Sequence, residues 1–311
     1  MNWLREPSPA AVAAALRVVT PELAGLPIAI PELVGRDDPV FQSSSAALGE
    51  QYVAKFAWSE TAARRVRHQI LVLQALAAEP AVPFLPEVVA ASTDPLIMVT
   101  RRVPGTSLFT VAGSVDPDHA GAQLSRFLAT LHGDQARRRA EAAVGGAPAW
   151  YPLATTSALR ERFGRWVTAA EQRDVARWCD WADSVLAEPG GPQVFIHADF
   201  HGDNQVWNGG ELRAVLDFEN AGLGEPEYDL RTFPGPGMGP GTGLLTAITR
   251  HYERLAGRPL SVSRIMAWHA RQALGDALWR SEAGLPLPDR RSPSAWVHDL
   301  AGRFRLLGLD V

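Results

Sequence analysis

The chain has 311 residues, 46% hydrophobic and 21% charged, the balance of a globular protein and not of a disordered one. Its formal net charge of −4 gives no global attraction to a phosphate backbone, so nucleic acid is not an expected partner. A single cysteine, Cys179, excludes an intrachain disulfide and a cysteine-built zinc site, and fits a reducing compartment.

The first residues, Met1-Asn2-Trp3-Leu4-Arg5-Glu6, lack the charged-then-apolar order of a secretory signal. No apolar run approaches the roughly 20 residues that span a bilayer, so the expectation is a cytoplasmic protein without a membrane partner. Ser8-Pro9 predicts a helix start, with serine as cap, ahead of an alanine-rich stretch ending near Val19. From Ile28 to Trp58 the pattern turns to short strands broken at Gly35, at Asp37-Asp38-Pro39 and at Gly49-Glu50. In the last of these strands Tyr52, Phe56 and Trp58 share one face, which points Lys55 to the other. Ser59 caps a helix to about Ala78, with Val66, Ile70, Leu73 and Ala77 at helical spacing and Glu79-Pro80 as its stop.

Glu87–Ala91 and Leu96–Arg101 read as strands, and Val103-Pro104-Gly105 breaks the chain. Beyond it the pattern is mainly helical. Leu124, Phe127, Leu128 and Leu131 form an amphipathic stripe, and a loop from Gly145 to Pro152 precedes helical periodicity from Ser157 to Glu188. Two β runs, Gln193–His197 and Leu212–Phe218, come next. A Gly/Pro loop from Pro234 to Gly243 and two or three closing helices follow. This order predicts an α+β, two-lobed fold: a small β-rich lobe over residues 1–101 and a larger helical lobe over 102–311, with a cleft between them.

The densest polar cluster is His197-Ala198-Asp199-Phe200-His201-Gly202-Asp203-Asn204, at the end of an apolar strand where side chains can face a cleft. The next apolar run also ends in a carboxylate, Asp217-Phe218-Glu219. Asn204 and Asp217 are hard oxygen donors that suit Mg²⁺ better than zinc.

His197-x-Asp199-x-x-x-x-Asn204, then Asp217-Phe218-Glu219, then Gly224-Glu225-Pro226-Glu227-Tyr228-Asp229-Leu230, resembles the aminoglycoside phosphotransferase family of protein-kinase-like enzymes. The resemblance covers most of the chain. Arg102-Val103-Pro104-Gly105 resembles the family's interlobe hinge, and Leu128-x-x-Leu131-His132 its helix before the catalytic segment.

The resemblance implies phosphoryl transfer from ATP (or GTP), with Mg²⁺, to a hydroxyl of a small molecule. By the same resemblance Asp199 is the catalytic aspartate, and Asn204 and Asp217 bind the metal. Lys55 holds the α- and β-phosphates, and the backbone around Thr100, Arg101 and Val103 meets the base. His197 fixes the loop by bonding backbone, and Asp229 accepts hydrogen bonds from that loop's backbone. A glycine-rich phosphate loop is missing ahead of Lys55; Ser43-Ser44-Ser45 occupies the region, with Ser44 as its candidate phosphate contact. The helix glutamate expected to pair with the lysine is replaced by Gln69, with Glu60 nearer the helix start. After the catalytic aspartate the family carries a proline and a glycine where this chain has Gly202 and Asp203.

The acidic run Asp217, Glu219, Glu225, Glu227 and Asp229 points to a cationic acceptor, with Glu219 and then Asp276 as substrate-side candidates. An aminoglycoside or similar antibiotic is the leading acceptor; sugars, choline-like alcohols and homoserine are the alternative. Trp268, Trp279 and Trp296 either stack on an acceptor ring or pack in the core. Two readings compete. The alternation His197, Asp199, His201, Asp203 has the look of a metallohydrolase, but His251, His269 and His298 sit in helical surroundings. A nucleotide-binding pseudokinase would explain Gln69 and the missing glycine loop, but needs no intact set of Asp199, Asn204 and Asp217.

Overall fold

The computed structural model describes residues 2–33, 37–78, 80–147, 149, 153–233 and 242–311. Helix α1 (Pro9–Val19) begins as its sequence dictates: Ser8 Oγ accepts the N–H of Ala11 at 3.2 Å and Pro9 occupies the first turn. Strands β1 (Ile28–Ala29), β2 (Ser43–Leu48) and β3 (Tyr52–Ala57) follow. Helix α2 (Glu60–Ala77) starts from a Ser59 cap. Then come β4 (Val88–Thr93) and β5 (Leu96–Arg101).

The strands form an antiparallel sheet in the order β1-β2-β3-β5-β4. Period-2 alternation decides its two faces. Ala46, Ala54, Phe56, Ile97 and Val99 pack with Val12, Ala15 and Leu16 of α1. Ala57, Leu96 and Met98 join the cluster that holds Val66, Ile70 and Leu73 of α2. The predicted break at Gly35 and stop at Glu79 lie outside the described residues. So do Pro148, Trp150, Tyr151 and Pro152 of one predicted loop and 234–241 of another.

The remainder is mainly helical. In order come β6 (Thr106–Ser107), α3 (Leu108–Val111), α4 (Pro117–Leu131), α5 (Asp134–Val144), α6 (Thr156–Arg162), α7 (Ala169–Ala187) and β7 (Val194–Ile196). Then follow β8 (Gln205–Asn208), β9 (Glu211–Val215), β10 (Gly222–Gly224), α8 (Pro226–Asp229), α9 (Gly243–Ala256), α10 (Val262–Glu282) and α11 (Pro293–Leu306). The chain thus has the two-lobed, kinase-like α+β fold. The stripe Leu124, Phe127, Leu128 and Leu131 is fully buried. Helices α4 and α9 cross so closely that a Cβ at Gly121 would lie 2.6 Å from Ala247 Cβ.

The helical run expected over 157–188 is divided. Thr168 and Glu171 form a reciprocal capping box that opens α7 as a separate helix after α6. Strands β6, β8 and β10 were not legible, because two to four residues are too few for alternation to show. Among the described residues no helix is long and apolar enough to cross a membrane.

Candidate active site

Strand β7 delivers the chain to His197, and the segment to Asn204 leads into β8, while β9 delivers it to Asp217. The two turns are tied together. The N–H of Leu216 donates to Asn204 O at 2.8 Å. His197 Nε2 donates to Leu216 O at 2.8 Å, and its Nδ1 accepts the N–H of Asp199 at 3.2 Å. Both ring nitrogens are therefore committed to backbone. Burial pushes this imidazole below its ordinary pKa against the pull of Asp229 and Asp199, which suits a neutral scaffold.

A second set of bonds grips the same segment from below. Asp229 on α8 accepts the N–H of His197 (2.9 Å) and of Ala198 (2.7 Å), and also the ring nitrogen of His132 (3.1 Å). Burial opposes its charge, but the His132 hydrogen bond and charge and the His197 N–H outweigh burial, and the carboxyl stays below its ordinary range. Arg231 donates to Ala198 O (2.6 Å) and Thr232 to Phe200 O (2.9 Å). The loop is held through its donors by a carboxylate and through its acceptors by a guanidinium and a hydroxyl. The clamp holds Ala198 at φ 66°, a left-handed conformation.

The segment so fixed presents Asp199 and Asn204. The Asn204 amide nitrogen donates to Asp199 O at 2.9 Å, which leaves its amide oxygen as the acceptor. Asp199 Oδ1 is buried with no hydrogen-bond partner, His201 Nε2 standing 3.7 Å away. Asp199 lines a cavity of about 860 Å³ together with Ser44, Lys55, Asp217, Asp276 and Trp279. Lys55, on β3 between Ser45 of β2 and Met98 of β5, places Nζ 2.7 Å from Asp217 Oδ1 and 2.6 Å from Glu219 Oε1. Burial opposes its charge, but the two carboxylates outweigh burial and raise the ammonium above the ordinary lysine range. Asp217 is correspondingly lowered, the Lys55 charge and hydrogen bond overcoming burial.

The structure brings together Lys55, Asp199, Asn204 and Asp217, with His197 and Asp229 behind them. Glu219 is engaged by cations of the protein itself. It lines the cavity, but both its oxygens face cations, Lys55 and Arg65, and its side chain is only 4% exposed, on the turn after Asp217 that packs against α2. Asp276 does line the cavity, with both oxygens accepting from Arg280 Nε. Ser44 lines it from within β2, paired to Phe56.

Thr100, Arg101 and Val103 lie at the end of β5 and just beyond, outside this cavity's lining, and the Arg101 side chain is occupied by Glu87. Neither Gln69 nor Glu60 bonds Lys55: Gln69 is buried on α2 and Glu60 pairs with Arg64. Trp296 is core and bonds Asp289, and Trp268 packs on Tyr228; Trp279 is exposed at the cavity. Two residues went unread, Arg231 and Thr232, and His132 was read only as the end of the helix before the catalytic segment. Arg231, a charge directly after the apolar Leu230, was the available signal.

The acidic run is used internally. Glu225 pairs with Arg264, Glu227 accepts the N–H of Ser261, and Asp229 is the clamp. Among the described residues no group of three or more His, Cys, Asp or Glu side chains could hold a metal. His201 instead stacks on Phe109 and contacts Asn204, while His251, His269 and His298 face Asp118, Arg231 O and Glu171.

Residues 31–261 match the model of the phosphotransferase enzyme family, APH. No curated protein matches the chain. Among solved structures it resembles the GDP complex of aminoglycoside 2'-phosphotransferase-IIIa, with TM-score 0.64 and 15% identity over 96% of this chain and 97% of that one. It is also similar to APH(2")-IIa in a ternary complex with streptomycin and ATP (TM-score 0.56, 14% identity, 97% and 96% covered). Macrolide 2'-phosphotransferase type I is similar over the whole of both chains (TM-score 0.57, 15% identity, 100% and 100% covered).

Proposed function

The chain belongs to the phosphotransferase enzyme family, and from that premise we propose that it moves the γ-phosphoryl group of ATP or GTP onto a hydroxyl of a small molecule. The observation that carries this reading is Asp199. It is held at the cavity by a doubly clamped loop, keeps one carboxylate oxygen without a hydrogen-bond partner, and lines the same cavity as Lys55. Asp199 orients the acceptor hydroxyl and takes its proton late, as the oxygen–phosphorus bond forms. Lys55 holds the α- and β-phosphates and offsets their charge.

The donor set fits a magnesium–nucleotide. Asn204 and Asp217 would hold the ion, and two protein oxygens suffice where water and phosphates complete an octahedron. Bound there, Mg²⁺ would neutralise charge on the phosphates. The strand-rich part to Arg101 is the nucleotide lobe and 102–311 the catalytic and acceptor lobe, with the backbone of Thr100, Arg101 and Val103 meeting the base and Ser44 near the phosphates. The setting is cytoplasmic.

For the acceptor, an aminoglycoside-type or other antibiotic leads, supported by what the similar enzymes are named for. The acidic run lends it nothing, being spent on internal partners. On the acceptor side Asp276 faces Arg280 and Glu282 faces Arg162, so the charges there are balanced. That balance favours a second reading, a metabolic kinase for a neutral or weakly charged alcohol. The intact Asp199, Asn204 and Asp217 weigh against a non-catalytic nucleotide-binding module. Release of nucleoside diphosphate is measured over aminoglycosides, macrolides, peptide antibiotics, sugars and amino alcohols. Turnover with one acceptor supports the reading, and nucleotide binding without turnover on any would favour the module.

A further inference from the structure

A lysine that grips nucleotide phosphates needs a carboxylate to hold its ammonium in place, and α2 offers none at the matching position. Gln69 is buried there with Oε1 lacking a protein partner. The basic residues of α2 do something else. Arg65 Nη2 lies 3.0 Å from Glu219 Oε2 and donates to Asn220 Oδ1 at 3.1 Å, while its Nη1 donates to Val40 O at 2.8 Å. One turn on, His68 Nε2 donates to Ala221 O at 2.8 Å. The helix is docked on the turn that follows Asp217, and it presents a cation to that turn.

We propose that Glu219 is the positioning residue for Lys55, in place of an acid on α2, and that Arg65 fixes Glu219 in that role. The inference rests on reading the cavity as a nucleotide site. Glu219 Oε1 is 2.6 Å from Lys55 Nζ, its other oxygen is held by Arg65, and Ser43 Oγ adds a long bond of 3.5 Å to Oε1. An ammonium has three donors. With Asp217 turned to a metal, one donor stays on Glu219 and two remain for phosphate oxygens. The two cations match the two carboxylates, Glu219 and Asp217, so a metal bound at Asp217 would make the cluster net positive towards the phosphates. Anchor and metal aspartate then come from one turn, two residues apart, so α2 contributes by bracing that turn.

The test is calorimetric titration of the full chain with a magnesium-bound non-hydrolysable triphosphate and, separately, with the matching nucleoside. Glu219→Gln should weaken the triphosphate about tenfold or more, the loss of a charged hydrogen bond, and leave nucleoside affinity within about twofold. Arg65→Met should weaken the triphosphate less, by roughly threefold, and Glu219→Asp should recover part of the Gln defect. Should the Gln variant fail to fold, the Asp variant carries the same comparison against wild type. Equal triphosphate affinity in Glu219→Gln and wild type overturns the inference. So does an equal loss for nucleoside, which would mark a collapsed cavity, or a loss cured by raising Mg²⁺, which would make Glu219 a metal ligand. A wild type that binds no nucleotide at all would remove the functional reading first, and the inference with it.

Discussion

Replacing Asp229 tests whether the loop from His197 to Asn204 is held from beneath. Its two oxygens accept three buried donors, the N–H groups of His197 and Ala198 and the ring nitrogen of His132. Hydrogen bonds to a charged group contribute about 1.5–3 kcal/mol each, and a buried donor left unpaired costs about 1–3 kcal/mol. Asp229→Ala strands all three, so about 3–6 kcal/mol of stability should go, a large share of the roughly 5–15 kcal/mol a domain has. Asp229→Asn keeps the shape but turns an amide N–H towards at least one donor, and should cost about 2–4 kcal/mol. The carboxyl is held below its ordinary value, so its contribution is present above about pH 4 and is lost as pH falls through the folded pKa. Urea unfolding gives the stability, and diphosphate release on the same samples gives the turnover. An Asn variant within about 0.5 kcal/mol of wild type and equally active would refute the clamp.

Other expectations can be checked on the same footing. His269 is pushed down to about 3 by burial and by the Arg303 charge beside it. The unfolded chain therefore takes up a proton below about pH 6.5 that the folded chain refuses. His269 should remove about 1.4 kcal/mol of stability per pH unit from there down, and His269→Gln should flatten unfolding midpoints measured between pH 7 and 5. Gly121→Ala drives a methyl into Ala247 at the α4–α9 crossing and should cost about 1–3 kcal/mol in urea unfolding. Ala198→Gly relieves a left-handed backbone and should gain about 1 kcal/mol by the same measurement.

What could be read in the sequence was whatever rests on local pattern. Ser8-Pro9 and Ser59 mark their helix starts because a cap acts within four residues, and Lys55 takes its face from strict alternation along β3. The cluster from His197 to Asn204 announced itself by breaking two apolar runs. The ion pairs of Glu219 did not, since they depend on the turn after Asp217 bending towards α2, a tertiary fact with no local trace. The same holds for the acidic run, whose partners Arg264, Ser261 and His132 lie far off in sequence. Ser44 falls in the strand that the breaks at Asp37-Asp38-Pro39 and Gly49-Glu50 delimit, and β2 pairs with β3 along its whole length.

The most direct measurement is the rate of nucleoside diphosphate release by wild type and by Asp199→Asn with the acceptor found in the panel, alongside nucleotide affinity. Turnover should fall at least about 10²-fold, within the range expected on losing a general base, while magnesium–nucleotide affinity stays within about threefold. An Asn variant that turns over as fast as wild type would contradict the assignment of Asp199 to the reacting oxygen.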